Sequence, residues 1–516
     1  MTRKRLPIGI QTFRKIRESD CYYVDKTGFA LHLIEQGSHY FLSRPRRFGK
    51  SLFLDTLAEL FAGDEALFEG LAAHPHWDWG RRFPVVRLSF AEGVLRDRAE
   101  LDESIDKLLR LNAERLDVAL PDEPGVAIRF SELLRLAHAR HGERVVVLVD
   151  EYDKPILDNL ADADTARAMR DGLRNLYSVI KGADADIRFA FLTGVSKFSK
   201  VSLFSGLNNL RDITVSREYS AICGYTETDL EQTFAPEIGE LDRAQIRAWY
   251  NGYNWTGEAV YNPFDVLLLF QERQFRPWWF ETATPTFLVD LLLKRGVFIP
   301  RLGRLLASDA LLSAFDVDHI ATEALLFQTG YLTIDAVRQL GALIEYRLRW
   351  PNIEVQASLT GALLESLAPV PQDPALRPSR LYELLLANDF DGMHTLFRAF
   401  YDSIPGECYT KNDIAKYEGY YASIFYTYFA ALGLDITPED SSNAGRLDMT
   451  LRFNGNVYLF EFKVVELSPA GRALQQIKDR GYADKHRASG VPIHLIGVEF
   501  SRKERTVVGF EVERLA

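Results

Sequence analysis

The stretch DMTLRFNGNVYLFEFK, residues 448–463, decides how the carboxyl end of this 516-residue chain folds. Asn454-Gly455 at its centre is a strong two-residue hairpin signal, because both central positions of the mirror-image turn need positive φ. Such a turn sets Phe453 opposite Asn456, and counting outward pairs Asp448 with Glu461. Side chains alternate faces, so Glu461 and Lys463 share a face with Asp448 while Phe460, Phe462 and Val464 point into a core. Directly opposed carboxylates sit about 5 Å apart and repel unless a cation lies between them. The apolar neighbours Val457 to Phe460 and Val464-Val465 argue against an ordinary solvated face, since charge inside such a strand is costly. Two acids and a lysine therefore converge, with a divalent metal as the natural third party.

Upstream, Asn412 to Leu432 reads as a helix, with Ile414, Tyr417, Tyr421, Phe425, Tyr428 and Leu432 at helical spacing and Gly433 as its stop. Glu418 lies on or beside that apolar stripe. The order of Glu418, then Gly445-Arg446-Leu447-Asp448, then Glu461-Phe462-Lys463, then Ala473-Leu474-Gln475-Gln476-Ile477 with Tyr482, resembles the PD-(D/E)xK nuclease superfamily over about the last hundred residues. The resemblance implies a restriction-endonuclease-like α/β domain in which Asp448 and Glu461 are metal ligands, Lys463 orients the attacking water, Glu418 is an auxiliary ligand and Gln476 a polar helix partner. Leu447 stands where the family name has proline. The set suits phosphodiester hydrolysis with Mg²⁺, or Mn²⁺ in its place, since Mg²⁺ takes one or two carboxylates plus substrate phosphate.

A second signal lies near the amino end. Tyr40-Phe41-Leu42 is followed by Arg44-Pro45-Arg46-Arg47-Phe48-Gly49-Lys50-Ser51 and a helix from Leu52 to Phe61, the strand, loop, Gly-Lys-Ser and helix order of a phosphate-binding loop. Backbone N–H groups from Arg46, Arg47 and Phe48 through Leu52 would cradle the phosphates of ATP. Lys50 would reach the β and γ phosphates, and the Ser51 hydroxyl would bind Mg²⁺. Arg44 occupies the first glycine position of the pattern, and arginine resists the positive φ that glycine allows there. Arg144 to Glu151 ends an unbroken apolar run in two acids, as an interior parallel strand does. Asp150 would hold Mg²⁺ through water, and Glu151 would polarise the hydrolytic water. Phe189 to Gly194 is a third such run, in which Thr193 or Ser196 senses the γ-phosphate or simply ends the strand. Together with Leu6-Pro7-Ile8-Gly9, Tyr23-Val24-Asp25-Lys26-Thr27 and Gly206-Leu207-Asn208-Asn209-Leu210, these motifs are similar to the predicted AAA-ATPase-like family of bacteria and archaea, whose members commonly carry a PD-(D/E)xK domain at the carboxyl end. Arg44 at the glycine position is normal in that family. Arg211 is either a finger or a salt-bridged arginine.

The expected architecture is α/β: a P-loop doubly wound ATPase domain over 1–215, a mostly helical, winged-helix-like lid over 216–370, a linker with helices over 371–410, and the nuclease-like domain over 411–516. Thr329 to Ile334 and Ala342 to Leu348 read as two strands of the wing, joined by a polar connection. Trp249 to Tyr253 and Trp278 to Phe280 stack bases or, more often for such residues, pack a core. Pro369 to Pro378 is the linker candidate. Three scattered cysteines, Cys21, Cys223 and Cys408, exclude a disulfide framework. The basic start lacks a signal-peptide core and nothing reaches membrane-spanning length, which points to the cytoplasm and no membrane partner. The net charge of -11 speaks against tight nucleic-acid binding, although from Lys411 onward 14 Lys and Arg balance 14 Asp and Glu. The expected partner is a nucleic-acid substrate of modest, salt-sensitive affinity, DNA ahead of RNA, with a homo-oligomer possible. The function expected is nucleotide-regulated cleavage. The alternatives are a nucleotide switch or scaffold whose nuclease-like domain binds without cutting, and an active nuclease that uses nucleotide only as a sensor.

Overall fold

Continuous apolar runs make strands that can be buried on both faces, and four such runs build the sheet of the amino-terminal half. The computed structural model describes residues 3–123, 125–197, 209–281, 286–312, 320–367, 377–404, 418–442, 445–468 and 470–515. The chain forms two compact units, one of Met1–Trp279 with Leu305–Asn352 and one of Phe280–Arg304 with Ile353–Ala516.

The first unit holds β1 (His39–Ser43), β2 (Val85–Ser89), β3 (Val145–Asp150), β4 (Ile187–Gly194) and the short β5 (Arg211–Asp212). They form a wholly parallel sheet in the order β2-β3-β4-β1-β5. Every residue of β1 and β3 is buried, and helices such as Lys50–Ala62, Arg98–Arg115 and Val126–His141 pack against the sheet. Leu42 is in register with Thr193 and Ser89 with Asp150, so the carboxyl ends of the strands lie level and Ser43, Asp150 and Gly194 share one edge. In parallel α/β sheets that edge is where ligands bind.

A second core in this unit packs Tyr22 and Val24 against Leu230, Phe234, Ile246 and Tyr250 from the helices Glu227–Ile238 and Arg243–Tyr250. Beside it lies a small antiparallel sheet of β6 (Leu306–Ser308), β7 (Thr333–Leu340) and β8 (Leu343–Arg349), in the order β6-β8-β7. Its first wing strand starts at Thr333, later than the expected Thr329. Gly330 takes φ 91° and packs its bare Cα against Pro45, where a Cβ would come within 2.7 Å, and this turn ends the helix Thr322–Gln328 before a strand can begin. The polar residues expected to connect the strands instead form the solvent-facing part of β7, and the connection is the tight turn at Gly341-Ala342. Of the expected linker Pro369 to Pro378, residues 369–376 lie outside the described residues, and Pro378 opens the helix Pro378–Ala387.

The second unit is built on a mixed sheet of β9 (Asp435–Ser442), β10 (Gly445–Phe453), β11 (Asn456–Val464), β12 (Ile493–Ser501) and β13 (Thr506–Leu515), in the order β13-β12-β11-β10-β9. Only the β11–β12 pair is parallel. The hairpin turn is of the mirror-image type, with Asn454 at φ 45° and Gly455 at φ 72°, and Phe453 pairs with Asn456 as the turn requires. One face of the sheet packs Phe460 and Phe462 against Phe425 of the helix Glu418–Ala430, whose ring stacks 4.1 Å from Phe397. The other face packs Leu447, Val457, Leu459 and Leu495 against Ile477 of the helix Arg472–Asp479. Among the described residues no helix is long and apolar enough to cross a membrane.

His394, His486 and His494 are held neutral in this unit, each pulled below the ordinary imidazole range by burial first and by neighbouring Arg398, Lys485 and Arg514 respectively. In the unfolded chain they protonate near pH 6.5. Their contribution is therefore fully present above about pH 6.5 and is lost as pH falls through the folded values. A thermal unfolding series should show Tm of this unit dropping as pH is lowered from about 7 to about 5.5, with a shallower drop in His494→Phe.

Candidate active sites

In the first unit the loop 44–49 leaves β1 and enters the helix Lys50–Ala62 with Gly49 in the left-handed region at φ 91°. Lys50 is 4 % exposed, and its ammonium donates to the carbonyl oxygens of Arg44 and Pro45, both at 3.0 Å. Ser51 follows, with its hydroxyl close enough to the carboxylate of Asp150 at the tip of β3 to favour its charged form. Burial raises Asp150 above the ordinary carboxylate range, while Ser51 and the Lys50 charge pull against that shift. Phe48 is buried, and with Leu52 it lines an apolar cleft that also takes in Tyr23, Val24, Cys223 and Tyr225 beside Gly49. Arg46 and Arg47 are exposed.

Arg44 does not adopt positive φ. The strain falls instead at Arg47, φ 70°. Arg44 is fully buried, donates to the carbonyl oxygens of Ser43, Thr214 and Tyr219 at 2.8 to 3.0 Å, and lies 4.0 Å over the ring of Trp255. Burial pulls its pKa down to about 10. A side chain too large for a glycine position is accommodated by pointing it away from the loop interior, into carbonyl groups and an indole face.

Glu151 also takes positive φ, 52°, and its N–H donates to Asp150 Oδ1 at 3.1 Å. Thr193 is fully buried, and its hydroxyl donates to the Leu42 carbonyl at 3.0 Å within the sheet. The Ser196 hydroxyl donates to Asp153, a buried carboxylate that burial pushes up to about 6. Arg211 stands 3.6 Å from Glu218 and near the rings of Tyr40 and Tyr219. The aromatic runs are core rather than free platforms: Tyr253 packs edge-on to Phe48 at 4.7 Å, and Trp279 Nε1 donates to the Arg46 carbonyl at 3.2 Å.

In the second unit the hairpin register runs to Met449 opposite Phe460, which brings Asp448 beside Glu461. Asp448 Oδ2 accepts the backbone N–H of Phe462 at 2.8 Å. Glu461 is 1 % exposed, and its Oε1 accepts both Lys463 Nζ at 2.9 Å and the Gln476 amide. Lys463 is partly exposed and also donates to the Phe462 carbonyl. Tyr482 completes the cluster: its hydroxyl donates to the Arg446 carbonyl at 3.0 Å, and the ring lies close enough to Glu461, Gln476 and Asp448 to feel all three. Glu418 opens the helix Glu418–Ala430, and its side chain lies outside the described residues, as do residues 412–417 of the expected helix.

Residues 7–204 match the family described as predicted AAA-ATPase. Over 516 residues and 100% of both chains, the sequence is 67% identical to an "Uncharacterized protein in vnfD 5'region" of Azotobacter chroococcum mcd 1. The chain belongs to the predicted AAA-ATPase family. Residues 416–510 match the PD-(D/E)XK nuclease superfamily, so the chain carries a domain of that superfamily at its carboxyl end. No solved structure matches.

In the ATPase-like module a buried ammonium, a hydroxyl and a carboxylate gathered at the strand tips form a donor set that fits a polyphosphate with its divalent ion. In the nuclease-like domain the donors are two carboxylates, Asp448 and Glu461, on adjacent strands. Among the described residues no group of three His, Cys, Asp or Glu side chains could hold a metal. A two-carboxylate set fits a hard ion such as Mg²⁺, which keeps several of its waters.

Gly497 and Glu499 were not legible as part of this site. Gly497 is the β12 partner of Glu461, and a Cβ there would meet the Leu474 backbone nitrogen at 2.4 Å. The missing side chain lets the helix Arg472–Asp479 approach closely enough for Gln476 to reach Glu461. Glu499, the β12 partner of Lys463, accepts the Ala473 N–H at that helix start at 3.4 Å. Only the pairing of β11 with β12, distant in sequence, reveals either residue. Gly497→Ala should cost about 1–3 kcal/mol by overpacking against backbone, read as a lower midpoint in urea unfolding, and should weaken cleavage by displacing Gln476.

Proposed function

We propose that this chain binds and hydrolyses ATP and that its nucleotide state governs a Mg²⁺-dependent nuclease at the carboxyl end. The carrying observation is the cluster of Asp448, Glu461 and Lys463 on one largely buried face of the β10–β11 hairpin, with Gln476 reaching Glu461 from the helix Arg472–Asp479. A buried carboxylate is expensive, and here it is oriented by an ammonium and an amide rather than replaced by an apolar side chain, as a plain packing face would allow.

Asp448 and Glu461 would hold the ion, with Glu418 as an auxiliary ligand. When bound, Mg²⁺ or Mn²⁺ polarises a phosphoryl oxygen and lowers the pKa of its water. Lys463 is anchored to Glu461 at one end of its reach and partly open to solvent, which suits it to steady phosphate charge and orient the attacking water. Gln476 fixes the Glu461 carboxylate. In the ATPase-like module the backbone N–H groups of residues 46–52 would cradle the phosphates, with Lys50 on the β and γ phosphates and Ser51 and Asp150 on the nucleotide's ion. Glu151 would polarise the hydrolytic water, and the apolar cleft beside Gly49 offers a place for the base. The helices and wing that follow, through their contacts with the loop at Tyr253, Trp279 and Gly330, would act as its lid.

The test uses the full chain with labelled DNA and RNA, single-stranded and duplex, in Mg²⁺ or Mn²⁺, with and without ATP. Metal-dependent cleavage of at least one substrate is expected. No cleavage under any of these conditions would overturn the nuclease half of the proposal.

A further inference from the structure

The loop 44–49 carries three arginines and runs into Lys50, and the environments of these four cations differ. Arg44 and Lys50 are buried and locked by carbonyl oxygens. Arg46 is tied through its carbonyl to Trp279. Arg47 is exposed, and its guanidinium rests 4.6 Å over the ring of Phe264. Among the described residues no carboxylate forms an ion pair with it within 4.0 Å.

Arg47 also sits at φ 70°, a conformation that a non-glycine residue adopts only at a cost and that glycine would adopt freely. Strain of this kind is kept where the side chain has a task. Phe264 is the second residue of the helix Pro263–Glu272, and Pro263 lines the cleft that runs to Gly49. The guanidinium therefore rests by a weak, easily exchanged contact on the neighbour of a cleft-lining residue, and Arg47 itself lies three positions before the helix Lys50–Ala62.

We propose that the Arg47 side chain is a phosphate-binding cation supplied in cis, which leaves the Phe264 ring to contact the polyphosphate of a nucleoside triphosphate held by the loop. This rests on the reading of the loop as a nucleotide site. A guanidinium gains more from a charge-assisted hydrogen bond to a phosphate oxygen than from an exposed ring face, so the exchange is favourable.

Calorimetric titration of MgATP into the full chain, with a thermal melt of each protein, tests it. Arg47→Gly should bind MgATP about tenfold more weakly than wild type while melting at the same or a higher temperature, because glycine relieves the φ. Arg47→Lys should retain part of the affinity. Phe264→Leu should bind as tightly as wild type, since the ring is only a resting place. Unchanged affinity in Arg47→Gly would overturn the inference. Equal losses in Arg47→Gly and Phe264→Leu would also overturn it, since the pair would then be a brace for the loop. Wild type and Lys50→Ala binding MgATP equally poorly would sink the nucleotide-site reading itself, and this inference with it.

Discussion

Glu461→Gln should lower metal-dependent phosphodiester cleavage on the order of a thousandfold, because under the proposed function it removes one of the two carboxylates that would hold an ion supplying several kcal/mol of charge stabilisation. The substitution keeps the shape and the burial, so the fold should survive. It does not keep the hydrogen bonding intact: Oε1 accepts from both Lys463 and Gln476, and an amide in that place can satisfy both donors only if its oxygen takes the Oε1 position. Because the ion would also hold a substrate phosphate oxygen, the loss should appear in kcat/KM, with kcat carrying the larger part. Restoring activity by raising Mn²⁺ would be consistent with a weakened ion site. A variant as active as wild type would remove Glu461 from the chemistry.

Lys50→Ala should weaken MgATP binding on the order of a hundredfold, the equivalent of losing one or two charge-assisted hydrogen bonds to phosphate. Lys50 is almost fully buried, with its ammonium on the Arg44 and Pro45 carbonyls, so the variant also leaves those two acceptors without their donor. A thermal melt separates the two effects: a modest drop in Tm with a large loss of binding is the expected pattern, and a collapse of the fold would call for Lys50→Met, which fills the same volume. Calorimetric titration of each protein provides the affinity. Binding of MgATP at wild-type strength by a folded Lys50 variant would contradict the phosphate-loop assignment.

Both units were largely readable from local signals. The Asn454-Gly455 turn dictates its own register, and that register carried Asp448 to Glu461 without knowledge of any other strand. The apolar run ending at Asp150 marked an interior parallel strand because nothing polar interrupts Val145 to Val149. What escaped was non-local. Arg44 at the first glycine position leaves the loop geometry open in the sequence; positive φ falls at Arg47 instead, and only the positions of Thr214, Tyr219 and Trp255 show that the Arg44 side chain can be buried with its backbone relaxed. The wing strand was begun too early because Gly330 and Pro45, 285 positions apart in the chain, meet only in the fold. Gly497 and Glu499 carry no motif and gain meaning only through the parallel pairing of β12 with β11.

We propose coupling between the two sites of this chain, with nucleotide governing nuclease. It is tested most directly by measuring Mg²⁺-dependent cleavage of labelled nucleic acid by wild type and Asp448→Ala, each with ATP, a slowly hydrolysed analogue or no nucleotide. Cleavage by wild type should differ at least about tenfold between nucleotide states, a coupling of about 1.4 kcal/mol, and the variant should cleave in none of them. Cleavage by wild type that ignores nucleotide, or cleavage that persists in Asp448→Ala, would contradict it.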